Sequence, residues 1–166
     1  MSDIINIADF IRARREPGAL TEAGLLERYA SGQRDFSGAV LRGARLAGAS
    51  LAGADFSGAD MTGADLTGAD LWGACFHRAW LERATLDRAD ARRASFAGAL
   101  LRGASLTEAL LIGADLSDTD LRGVDLSGAN LYGAWLGETT LRGAILDGAR
   151  VYDPALGVAR RTAALA

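Results

Sequence analysis

A large apolar residue returns at every fifth position from Phe36 to Val151, and the residue two before each later one, from Ala39 to Ala149, is small. The series Phe36, Leu41, Leu46, Leu51, Phe56, Met61 and onward through Leu146 to Val151 makes 24 consecutive pentapeptides. Ala91 is the one small centre, and Thr119, Val124 and Thr139 are the only breaks in the alanine column. A period of five matches neither the 3.6-residue turn of a helix nor the two-residue alternation of a strand. A unit such as Ala64-Asp65-Leu66-Thr67-Gly68 alternates inward and outward and then turns at glycine, giving a short extended side and a corner. Four corners close a square. The phenylalanines test this: Phe36, Phe56, Phe76 and Phe96 are spaced by 20, and random placement would put all four on one side roughly once in two hundred trials. A stack down one inner wall is expected, with Phe56 and Phe76 in contact and Phe36 and Phe96 flanking them.

Units such as Ala54-Asp55-Phe56-Ser57-Gly58, Ala64-Asp65-Leu66-Thr67-Gly68 and Ala129-Asn130-Leu131-Tyr132-Gly133 resemble the A(D/N)LxG consensus of the pentapeptide-repeat proteins, over about 118 of 166 residues. The resemblance implies an all-β solenoid, the right-handed quadrilateral β-helix, with the central residue and the preceding Ala pointing inward. Twenty residues per coil gives about six coils, and a strand spacing of about 4.8 Å makes a rod on the order of 29 Å long.

A stacked coil exposes backbone and apolar side chains at each end, so the ends need covering. Residues 1–34 read as an N-terminal α-helical cap. Ile4, Ile7 and Ile11 have helical spacing, and Pro17-Gly18 breaks that segment. Thr21 is placed to N-cap a second helix carrying Leu25, Leu26 and Tyr29 before Gly32 stops it. Leu25, Leu26 and Tyr29 are expected against Phe36, Leu41, Leu46 and Leu51. The repeat domain spans 35–153. Pro154 ends it, and the tail 154–166, with Leu156, Val158 and Leu165, is expected to be a weak short helix or frayed.

Chemistry is scarce. The one Cys, Cys75, cannot close an internal disulfide, and Cys75-x-His77 lacks further ligands for a metal site. Asp55, Asp60, Asp65 and Asp70 lie on four different sides of the square and form an acidic belt, not an acid/base pair. Serines and threonines have no base to activate them, and the glycines fall at fixed corners, not in a phosphate loop. No catalytic residue, cofactor or metal is implied, and enzyme activity is not expected. The N-terminus lacks a basic leader and there is no transmembrane stretch, which together fit a cytoplasmic protein of bacterial type with no membrane partner.

Outward residues carry the remaining information. The coil from 76 to 95 replaces Gly at all four corners by Arg78, Arg83, Arg88 and Arg93, a candidate basic belt. A type II turn needs positive φ, which Arg resists, so a different corner geometry with negative φ is expected there. Belts of opposite charge are expected to pair across the coil spacing, and the column Arg102, Arg122, Arg142 to be neutralised by Asp118 and Asp120. A second column reads Ala52, Trp72, Arg92, Ile112, Tyr132, Tyr152, with Trp135 around the next corner. Large apolar side chains gather where the repeat normally places Ser, Thr or Arg. Either the rings lie over glycine corners and shield backbone, or Trp72, Ile112, Tyr132, Trp135 and Tyr152 form the surface for a protein partner or a homodimer.

A non-enzymatic protein–protein interaction or scaffold module is the leading reading. The resemblance implies an alternative, a DNA-mimic modulator or protector of DNA gyrase akin to the quinolone-resistance proteins. That mimicry calls for a mainly acidic surface, whereas the repeats from Phe36 to Asp153 carry 15 acids against 11 arginines. A net charge of −3 and a pI near 5.1 disfavour direct nucleic-acid binding.

Overall fold

The computed structural model describes residues 20–152 in full, and Asp153 and 158–161 as backbone. The N-terminal helix expected around Ile4, Ile7 and Ile11 lies outside the described residues, as do Pro154, Leu156 and Leu165.

From Asp35 onward, each residue preceding a centre forms a parallel bridge to the residue twenty later, as in Asp55↔Cys75, Asp60↔Trp80, Asp65↔Thr85 and Asp70↔Asp90. Twenty residues hold four units, so four sides repeat along the stack. Side 1 is centred on Phe36, Phe56 and Phe76, side 2 on Leu41 and Met61, side 3 on Leu46 and Leu66, and side 4 on Leu51 and Leu71. Extended hydrogen-bonded stretches are short, because each side is only a few residues long before its corner.

Every amide in a unit has a designated acceptor, and this explains the five-letter pattern. In the unit around Phe56, Asp55 N–H donates to Arg34 O in the preceding coil at 2.7 Å, and Phe56 N–H donates to Cys75 O in the following coil at 2.7 Å. Gly58 N–H also donates forward, to His77 O at 2.9 Å, and Ala59 N–H closes the turn on Phe56 O at 2.9 Å. The fifth amide, Ser57 N–H, has no backbone acceptor and is taken by Asp55 Oδ1 at 2.8 Å. Thr62, Thr67, Ser117 and Ser127 N–H are held in the same way by Asp60, Asp65, Asp115 and Asp125, and Tyr132 N–H by Asn130. The Asp or Asn of each unit is therefore a local backbone cap.

The interior is alanine and large apolar side chains throughout. The phenylalanines stack as expected, with ring centroids 5.5, 5.4 and 4.9 Å apart from Phe36 to Phe96 and planes within 20°. Thr119, which breaks the alanine column, is buried and donates its hydroxyl to Leu116 O, so its polar atom is satisfied.

The corners correct one expectation. Arg78, Arg83, Arg88 and Arg93 have φ of 54 to 57°, close to the glycine corners, and Glu108, Asp118 and Glu138 do likewise. The arginines do not open the corner because each corner amide still donates to the next coil: Arg78 to Ala97 O, Arg83 to Arg102 O, Arg88 to Thr107 O, Arg93 to Ile112 O. Leaving the left-handed region would break that bond and throw four corners out of step with their neighbours. An L-residue there costs about 1–2 kcal/mol; the stack imposes it.

Before the repeats, helix α1 (Glu22–Ala30) is N-capped by Thr21, whose side chain accepts Gly24 N–H at 3.1 Å, and the chain leaves it through Gly32 at φ 101°. Leu25 is fully buried in the core with Phe36, Leu41 and Leu46, and Tyr29 packs beside it. Leu26 is 39% exposed, contrary to expectation. Leu25 and Tyr29 are four residues apart on one helix face, and Leu26 is turned about 100° from it. The helix also supplies polar partners to the first coil: Glu22 Oε1 accepts Arg45 N–H at 2.6 Å, and Tyr29 Oη donates to Ala52 O at 2.8 Å. Arg45 N–H is one that a preceding coil would otherwise accept.

At the other end, strand β1 (Asn130–Leu131) pairs in parallel with β2 (Arg150–Asp153), and β3 (Val158–Arg161) pairs antiparallel with β2. The tail segment 158–161 is thus a strand, neither a helix nor frayed. The last coil of side 4 offers an open backbone edge, and a returning strand can satisfy it where a helix cannot.

Candidate interaction surfaces

The side 4 backbone sets Trp72, Arg92, Ile112 and Tyr132 one above another, each carbonyl accepting the corner amide of the coil before it: Gly53, Gly73, Arg93 and Gly113. Trp72 is 47% and Tyr132 53% exposed, Ile112 and Tyr152 are half-buried, and Tyr132 stacks on Tyr152 with centroids 4.8 Å apart. A Cβ built on Gly53 or Gly133 meets no atom of the next coil within 4 Å, so neither Trp72 nor Tyr152 closes over the corner of the coil before it. They stand outward.

Trp135 does not join this column. It belongs to side 1, bridged to Asp115, and is the most exposed large apolar residue of the described chain at 71%. Arg92 interrupts the aromatic run and is held by Asp90 through two parallel bonds, with Nε–Oδ1 at 2.7 Å and Nη2–Oδ2 at 2.5 Å. That bidentate bond holds the Asp90 carboxyl below the usual range and raises the Arg92 guanidinium, with the Asp70 charge adding to the latter.

Beside the column, Leu110 is exposed in register with Asp90 and Asn130; on side 2, Trp80 and Leu100 are exposed and bridged to each other. Sequence reasoning missed these three. The signal was present, since all occupy the Asp/Asn slot of the unit, where an apolar residue forgoes the amide cap and faces solvent.

The basic belt is not neutralised in the expected way. Among the described residues the ion pairs are Arg42–Asp60, Arg92–Asp90 and Arg122–Asp120, and none involves Arg78, Arg83, Arg88 or Arg93. Two of these pairs form within one unit rather than across coils, because the Asp/Asn slot and the slot two later share a side. Of Arg102, Arg122 and Arg142, only Arg122 forms an ion pair among the described residues, with Asp120, whose carboxyl the Arg102 charge also lowers. Of the belt arginines, Arg78, Arg83 and Arg93 run toward the next coil, their Cγ atoms 3.3 to 3.9 Å from where a Cβ on Gly98, Gly103 or Gly113 would lie. Glycine there leaves them room.

Asp60 is buried; burial raises its carboxyl, but bonds from Thr62 and Arg42 outweigh this and hold it below the usual range. The Cys75 thiol lies 3.2 Å from Ser57 Oγ. Among the described residues no helix is long and apolar enough to cross a membrane, and no cluster of three metal-ligating side chains occurs.

Comparison with known proteins adds to this geometry. The family described as pentapeptide repeats matches in eight copies over residues 35–73, 73–108, 92–128, 104–143 and 125–153. Among solved structures, Rfr23 from the cyanobacterium Cyanothece 51142 is similar at 26% identity over 77% of this chain and 97% of its own, with a TM-score of 0.51. HetL from Nostoc sp. strain PCC 7120, a pentapeptide-repeat protein involved in heterocyst differentiation regulation, is 26% identical over 83% of this chain and 98% of its own, with a TM-score of 0.42. The fluoroquinolone-resistance protein QnrB1 is 21% identical over 70% of this chain and 68% of its own, with a TM-score of 0.40. No curated protein sequence matches the chain.

Proposed function

This chain belongs to the pentapeptide-repeat family, and from that premise we propose that it is a non-enzymatic, cytoplasmic interaction module whose docking surface is the aromatic column of side 4. We take the repeats, residues 35–153, as a right-handed quadrilateral β-helix of about six coils, with residues 1–34 as its cap and 154–166 as its tail. The observation that carries the reading is the outward Tyr132–Tyr152 stack, continued by Ile112 and Trp72 along one flat side. Aromatic side chains offer large contact area at low entropic cost and are enriched at the centres of interfaces. Everything else in the unit is committed to architecture: the Asp or Asn caps an amide, the Gly makes the corner, the Ala and the centre fill the core.

Gyrase modulation has less support. The repeats carry fifteen acids against eleven arginines, and four arginines without an ion-pair partner among the described residues ring one coil, so the acidic surface is interrupted on every side. In a supercoiling assay the protein is expected neither to inhibit gyrase nor to protect it. For the leading reading, the double change Trp72→Glu and Tyr132→Glu is expected to leave the thermal melt nearly intact and to abolish capture of a partner. A variant that captures the same partner as the parent protein removes this surface from consideration.

A further inference from the structure

Side 4 carries two outward columns in fixed register. One reads Asp70, Asp90, Leu110, Asn130, Arg150, through the bridges and strand pairing that join each residue to the next. The other reads Trp72, Arg92, Ile112, Tyr132, Tyr152. Each column is self-complementary when reversed about its middle member. Reversal places Asp70 opposite Arg150 and Asp90 opposite Asn130, with Leu110 opposite itself. It also places Trp72 opposite Tyr152 and Arg92 opposite Tyr132, with Ile112 opposite itself.

We propose that side 4 docks against a second copy of this chain, antiparallel, about a twofold axis running over Leu110 and Ile112. The proposal rests on the reading of side 4 as the docking surface and names its occupant. A twofold axis lying in the interface across the rod reverses each column while keeping columns of the same kind opposed, so one geometry satisfies both sets of pairs. The axis falls on the apolar centre, and the complementary charges fall toward the ends of the patch, the arrangement of a hydrophobic core with a polar rim.

The free protein is prepared for these contacts. Asp70 and Arg150 are exposed and neither is in an ion pair among the described residues. Arg92 is fixed by its two bonds to Asp90, which occupy the edge of its guanidinium and leave the faces for a ring, and the residue opposite is Tyr132, itself steadied by stacking on Tyr152. Glu108, at the corner beside the axis, meets its own copy, with Arg88 of the other chain one coil away. Leu110 to Arg150 spans only two coil spacings on each side of the axis, about 10 Å either way. A patch this small belongs to the low end of interface sizes, the class of weak and transient contacts.

The test is sedimentation of the full-length chain from about 1 to 500 µM, with charge variants. The parent protein is expected to dimerise over that range. Asp70→Arg and Arg150→Asp should each weaken the dimer at least tenfold, since each change acts at two symmetric sites, and the double variant should recover it. In a Cys75→Ser background, Ile112→Cys should form a disulfide-linked dimer under mild oxidation, whereas Arg102→Cys on side 2 should not. A monomeric parent at 500 µM overturns the proposal, as does a dimer indifferent to Asp70→Arg and unlinked through Ile112→Cys; the latter result is what end-to-end association would give. If the parent is monomeric while the Trp72→Glu and Tyr132→Glu variant loses a captured partner, the second copy is wrong and side 4 still docks another protein. If both variants and parent behave alike in capture and sedimentation, both readings fail.

Discussion

At the scale of single residues, backbone conformation and core volume make separable predictions. Gly63 has φ of 66° with no atom within 4 Å of an added Cβ, so Gly63→Ala tests conformational cost without steric clash. It is expected to lower stability by about 1 kcal/mol, read from the urea midpoint. Arg83→Gly should do the reverse, by roughly 0.5 kcal/mol, because relief at φ 56° exceeds the extra entropy of an unfolded glycine. A neutral or destabilising Arg83→Gly would mean that the arginine side chain makes up for its own strain. Phe76 lies between Phe56 and Phe96, both within 5.4 Å centroid to centroid. Phe76→Ala should cost about 3–5 kcal/mol, since neither neighbour can move along the stack to fill the space; a loss under 1 kcal/mol in the same melt would contradict that rigidity.

At the scale of elements, α1 completes the first coil by two means: Leu25 enters the core, and Glu22 and Tyr29 bond backbone groups of the coil. Removal of residues 1–34 is expected to give aggregation or end-to-end association through Phe36, Leu41, Leu46 and Leu51. A soluble monomer with an unchanged melting temperature would reduce α1 to an appendage. Tyr29→Phe isolates the polar share: losing the bond to Ala52 O should cost about 1 kcal/mol while the ring stays packed. The helix's stop and start were legible in Thr21 and Gly32, but the exposure of Leu26 was not, because three large apolar residues in a nine-residue helix leave the docking angle open.

At the scale of the whole molecule, the Asp caps link stability to pH. Hydrogen bonds hold Asp65, Asp90 and Asp120 below the usual carboxylate range, from Thr67, Arg92 and Arg122 respectively, and Asp60 is held low despite its burial. These pKa values are depressed in the folded state. Their contribution is therefore complete above the unfolded value, about 4, and is lost as pH falls through the lower folded values. Urea midpoints should be level from pH 7 to 5 and fall toward pH 3, and Asp60→Asn should flatten part of that fall; equal slopes for both proteins would rule out Asp60 as a contributor. The sequence by itself determined the square solenoid and its inward residues, because a strict period of five with small residues at fixed slots admits few other packings. It also named the outward column of Trp72, Ile112, Tyr132 and Tyr152, since register follows from counting by twenty. Only the tertiary structure decided that the belt arginines keep positive φ, because that choice belongs to hydrogen bonds between coils. It alone decided that Asp90 and Asp120 take the arginine of their own unit while Asp60 takes Arg42 of the coil before, since side-chain reach selects among the partners that the pattern sets nearby. It alone decided that 158–161 returns as a strand, because the edge it covers exists only once the last coil has formed.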